Sequence, residues 1–77
     1  MKIEELDLVV LNEDMPEHRL AAGDIGTVVL VHGEGTGYEV EFITLDGETV
    51  AVISLYPSQV RPIQRGEIAH ARAIEVA

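Results

Sequence analysis

Apolar and polar residues alternate without a break over Tyr38-Glu39-Val40-Glu41-Phe42, placing three large side chains on one face and two carboxylates on the other. A period of two marks a strand buried on one side only. Four further segments, Leu6–Leu11, Thr27–His32, Glu48–Leu55 and Val60–Ile63, are rich in β-branched residues and leucine. Turn chemistry separates them. A polar stretch with Pro16 follows the first, Gly23-Asp24-Ile25-Gly26 feeds the second, and glycine-rich Gly33–Gly37 joins the second to the third. Asp46-Gly47 is a tight-turn pair, and Pro57 pre-sets a turn or single 3₁₀ turn over Tyr56–Gln59. Five short strands in this order predict an all-β fold, a small five-stranded antiparallel barrel over residues 1–63. Its expected core is Val9, Ile25, Val28, Leu30, Tyr38, Val40, Phe42 and Val52.

The fourth strand breaks the alternation, with Val50 and Val52 on one face and Ala51, Ile53 and Leu55 on the other. A strand half-buried in a barrel should carry polar residues outward. With Val52 assigned to the core, the face of Ala51, Ile53 and Leu55 is surplus. Either the C-terminal segment covers it or another chain does. That segment, residues 64–77, is alanine-rich without a strand pattern, and reads as a short helix or tail. Its Ile68, Ala71 and Ile74 are the apolar residues available as a cover.

With one phenylalanine, two tyrosines and no tryptophan, the core must be aliphatic. There is no cysteine, so disulfides and thiolate metal sites are excluded. No run approaches the roughly 18 apolar residues of a membrane span, and Met1-Lys2-Ile3-Glu4-Glu5 lacks the apolar core of a signal peptide. The expectation is a cytoplasmic protein without membrane contact. Fourteen acids against five bases give a net charge of −9. The bases Lys2, Arg19, Arg61, Arg65 and Arg72 are scattered, so no basic stripe offers phosphate contacts and nucleic acid is not an expected partner. Such a surface serves solubility, or steers a basic partner.

Reactive constellations are absent from the sequence pattern. His18, His32 and His70 share no metal-ligand spacing and read as exposed loop residues. Glu39 and Glu41 lie about 7 Å apart on one strand face, but that face points away from the core. It reads as a solvated face that discourages edge-to-edge pairing rather than an acid–base pair. Ser54 and Ser58 have no nucleophile elbow. Gly33–Gly37 lacks the lysine and the following helix of a phosphate cradle. The expectation is no catalytic residue, cofactor or metal, and no enzyme.

The motifs Asp7–Leu11, Leu20, Gly23–Val29, Tyr38–Phe42, Asp46-Gly47 and Arg61-Pro62, in that order, resemble the small bacterial domain-of-unknown-function family DUF4926. The resemblance covers about residues 5–63 and leaves out the tail. The Gly-Asp-x-Gly-x-Val element is also similar to the start of the second strand in SH3-like barrels, including the KOW type. What the resemblance implies is a stand-alone SH3-like barrel without an assigned reaction. Similar barrels, such as the C-terminal domain of the nitrile hydratase β-subunit and a small protein of the photosystem reaction centre, mostly act as adaptors or accessory subunits. Members of the family resemble small acidic products encoded beside a larger partner, which implies an antitoxin-like, neutralising role.

The leading expectation is therefore a non-enzymatic protein-interaction module. Glu13, Asp14, Glu17, Glu34, Glu39 and Glu41 would orient a basic protein partner, and Ala51, Ile53 and Leu55 would supply apolar contact to it or to a second copy in a homodimer. Two alternatives stay open. One is a KOW-like nucleic-acid or ribosome-associated module, which the charge opposes. The other is an accessory subunit of an enzyme.

Overall fold

The computed structural model describes residues 2–75. Met1, at the start of the expected barrel, and Val76 and Ala77, at the end of the expected tail, lie outside the described residues. Five strands form: β1 (Leu8–Leu11), β2 (Ile25–His32), β3 (Gly37–Ile43), β4 (Thr49–Leu55) and β5 (Val60–Pro62). Three-residue 3₁₀ turns occupy Pro16–His18 and Pro57–Gln59. All pairings are antiparallel, in one sheet of order β4-β3-β2-β1-β5. The hairpins fall where the glycines predict them, with Gly35 and Gly47 at positive φ. The β3–β4 turn is tied further by the Thr44 hydroxyl, which accepts from the Glu48 amide at 2.9 Å.

The sheet curls on itself, since Val60 of one edge strand and Ile53 and Leu55 of the other share one core with Val9, Leu11, Leu20, Val28, Tyr38, Val40 and Phe42. It does not close. Among the described residues β4 pairs only with β3, and β5 only with β1. The expected barrel is thus an open, curled sheet. β5 is only three residues long and ends at Pro62, which has no amide donor to offer a further strand. Residues 64–75 form no helix either. Gly66 turns into the left-handed region at φ 86° within the Gln64–Glu67 turn, and so short a segment has little helical stability of its own. No described helix is long and apolar enough to cross a membrane.

Two irregularities decide which side chains face inward. Directly opposed residues share a face, and the register of β2 against β3 shifts between Val28 and Leu30. Val28 lies opposite Val40 and inward, but Leu30 lies opposite Glu39 and outward, and Val31 takes the next inward place opposite Tyr38. In β4 the shift falls where Ile43 pairs with Thr49 and Phe42 with Ala51. Ala51, Ile53 and Leu55 are consequently set opposite Phe42, Val40 and Tyr38, facing the core, while Val52 faces out opposite Glu41.

The expected core is corrected at three positions. Val9, Val28, Tyr38, Val40 and Phe42 are buried, whereas Ile25, Leu30 and Val52 are exposed. The expected faces of β4 are reversed, with Ile53 and Leu55 buried in the chain's own core and Ala51 packed against it. Gly26 takes the inward place next to Ile25. A Cβ there would lie 2.5 Å from Val40 Cγ1 and 2.9 Å from Phe42 Cε1. The first strand also starts later than its composition predicts. Leu6 has φ 71° and exposes its side chain, while its amide donates to the Val28 carbonyl at 2.7 Å. This kink brings Ile3, which carries no periodic signal, into the core.

Candidate docking surface

The outer face of the sheet is built from rows of opposed residues. One row runs Leu30, Glu39, Ser54 across β2, β3 and β4. The next runs Leu8, Thr27, Glu41, Val52 from β1 to β4. Leu8, Leu30 and Val52 keep 52%, 45% and 53% of their surface in contact with solvent. Large aliphatic side chains so exposed beside two carboxylates form a mixed apolar and acidic face. The acids are held in place. Glu39 Oε2 accepts from the Ser54 hydroxyl at 2.5 Å and lies 2.6 Å from His32 Nε2. These hydrogen bonds from His32 and Ser54 hold its carboxyl below the usual range. Glu41 accepts from the Thr49 hydroxyl at 3.1 Å. The cross-strand pattern thus keeps Glu39 ionised and orients both Glu39 and Glu41 on the face that alternation predicts.

The other four expected acids are not brought to them. Glu13, Asp14 and Glu17 lie in the β1–β2 connection. There Asp14 accepts from the Ala22 amide at 2.9 Å and Glu13 from Gln59 Nε2 at 3.2 Å. Glu34 sits in the β2–β3 hairpin, at the opposite end of the eight-residue β2, a strand of about 26 Å. The six carboxylates are therefore spread from one end of β2 to the other rather than gathered in one cluster. Ile53 and Leu55, expected at the interface, are in the core, and the residues of that strand that face outward beside the acids are Val52 and Ser54. The sequence pattern does not single out Leu30 and Val52 as surface residues, because a bulge is invisible in a period of two, and Leu8 lies in an apolar run without alternation. Only the excess of aliphatic residues over core places hints at them.

A second surface lies at the end of the sheet where β2 begins. The C-terminal segment folds back there, and Arg72 donates to both Asp24 carboxylate oxygens, at 2.9 and 2.5 Å, and to the Arg19 carbonyl at 3.0 Å. Arg19 in turn donates to the Glu75 carbonyl at 3.1 Å. Burial pushes the Asp24 carboxyl up, but hydrogen bonds from Arg72 and the Ala21 amide outweigh it and hold the group below 3.8. Since the pairing lowers the carboxyl's affinity for protons, the contact is complete above 3.8 and weakens as pH falls through that value and below it. Acid titration followed by the NMR signals of Ala69–Ile74 should show these residues released before the sheet melts. Unchanged signals down to the global transition would contradict that. At its root the segment is fixed by Arg61, which donates to both Glu67 oxygens at 2.8 and 2.6 Å and, with the Gln64 amide, brings the Glu67 carboxyl down to about 2. Nothing in the sequence pattern pairs Arg72 with Asp24, because the partners are far apart in the chain and the motif that holds Asp24 signals only a turn.

Among the described residues no three histidine or carboxylate side chains converge on a point that could hold a metal ion. In the Ser54–Glu39–His32 contacts the carboxylate lies between the other two groups, so the imidazole meets Glu39 and not the Ser54 hydroxyl. Of the family models, one described as "Domain of unknown function (DUF4926)" matches residues 5–62. No curated protein and no solved structure matches the chain.

Proposed function

The chain belongs to the DUF4926 family of domains of unknown function, and from that premise we propose that it is a non-enzymatic module that binds a larger, basic protein. The supporting observation is the outer sheet face, where exposed Leu8, Leu30 and Val52 stand beside the fixed carboxylates of Glu39 and Glu41. Apolar contacts there supply affinity, and the acids, with the net charge of −9, select and orient a basic surface. We read the curled sheet, with β1 paired to both β2 and β5, as an SH3-like barrel left open between β4 and β5. In this reading the chain acts in the cytoplasm and holds or neutralises its partner by occupying a surface.

The test is retention of host proteins on the immobilised chain at low and high salt. A stoichiometric basic protein should be retained by the wild type and lost from a Leu30→Lys, Val52→Lys variant, which breaks both the apolar contact and the charge match. Equal retention by both, or none by the wild type, refutes the reading. Duplex DNA and structured RNA should show no saturable mobility shift at physiological salt, since five bases against fourteen acids leave little cationic surface to release phosphate counterions. A micromolar shift with a steep salt slope would favour a nucleic-acid module instead.

A further inference from the structure

We propose that the groove at the start of β2 is a binding site for an extended, arginine-bearing segment of a partner protein, occupied in the free chain by the chain's own residues 69–74. The inference rests on the reading of the chain as an interaction module but uses a different surface from the outer face. One wall of the groove is the sheet, with Leu20, Ile25, Phe42, Ile43 and Val50, and Leu45 stands 95% exposed at its rim. The other wall is Ala69–Arg72 with Ile74. The occupant reports the chemistry that the groove accepts. Its backbone is neither helix nor strand, and its one charged anchor is a guanidinium. Asp24 is preset for that anchor by the Ala21 amide, which donates to it at 2.8 Å, and Asp14 adds to the negative field at Arg72. Bidentate pairing of this kind selects arginine over lysine.

The chain's own segment is a poor fit. It meets an apolar wall with alanines at positions 69 and 71, and about 390 Å³ of the groove stays open. A segment with larger apolar residues at those places would bury more of Ile25, Ile43 and Leu45, and would displace the tail. The tail then acts as a weak internal competitor, which lowers the apparent affinity for a partner by the fraction of chains with the groove free. A chain of net charge −9 also favours a basic incoming segment.

The experiment uses full-length chains, wild type and Arg72→Ala, titrated into a fluorescent synthetic peptide of residues 66–75. Arg72 is exposed, and a thermal melt verifies that the variant is folded. The variant, whose own tail is unclasped, should bind the peptide about fivefold more tightly than the wild type. The peptide carrying Arg72→Ala should not bind, and the peptide carrying Ala71→Leu should bind about tenfold more tightly than the unmodified one. Equal affinity for the two chains, indifference to the peptide's arginine, or no saturable binding to the variant would overturn the proposal. A concentration-dependent dimer of the wild type in sedimentation, lost in Arg72→Ala, would assign the groove to a second copy's tail and overturn the partner assignment. Retention by the outer face is scored separately, so peptide binding without retention refutes only the earlier reading, and retention without peptide binding refutes only this one.

Discussion

Replacing Phe42 with alanine should remove most of the stability of this chain. Phe42 is 2% exposed and is the only phenylalanine. It packs in the core shared by all five strands. Truncating a buried phenylalanine costs roughly 3–5 kcal/mol through lost transfer energy and the cavity left behind. A domain of this size has on the order of 0.05–0.15 kcal/mol per residue in total, so the loss is comparable with the whole. Val40 and Gly26 are too tightly placed against the ring to collapse freely into the space. The midpoint of thermal unfolding should fall by at least about 12 °C, or the cooperative transition should disappear. A melt within a degree or two of the wild type would contradict the position of this side chain.

The opposite error, too much volume, should be nearly as damaging at Gly26. The position faces the core in the middle of the β1–β2–β3 pairing, and its φ does not require glycine. The requirement is space. The Cβ of alanine would lie 2.5 Å from Val40 Cγ1, whose residue is fully buried and has nowhere to move. Overpacking of this kind costs about 1–3 kcal/mol for alanine, and valine should prevent folding at room temperature. Urea midpoints measure both. The close contact with Phe42 also predicts coupling. Phe42→Leu, destabilising alone, should recover part of the loss from Gly26→Ala, with an interaction energy above about 0.5 kcal/mol. Strict additivity of the two substitutions would mean that the clash is relieved elsewhere.

The strand order and the core-facing side of β3 are legible in the sequence because their signals are local. Tyr38–Phe42 alternates over its full length, and each hairpin carries its own glycine. The two bulges are not legible. Each adds one residue to one strand, flips the parity of everything beyond it, and leaves a run of valine, leucine and isoleucine that reads equally well in either phase. An unbroken period therefore puts Leu30 and Val52 inside, and Ile53 and Leu55 outside. The same limit applies to the surfaces. Glu39 and Glu41 follow from alternation, but the Arg72–Asp24 contact and the burial of Ile3 depend on how the chain returns in space, which no periodicity encodes.

The pairing of β1 with β5 also sets the order in which the molecule assembles. β2, β3 and β4 are joined by hairpins of a few residues, so their contacts form at small loop-closure entropy. Val10 meets Arg61 only after almost the whole chain has been gathered. The three-stranded meander should therefore nucleate folding, with the β1–β5 ladder added last, on the millisecond-to-second scale of non-local β-structures. In stopped-flow kinetics, Val40→Ala should slow folding and Val60→Ala should chiefly speed unfolding; the reverse would place the nucleus at β1 and β5. During synthesis β1 is made first and its second edge stays unpaired until β5 emerges, so the first strand made is the last to be completed.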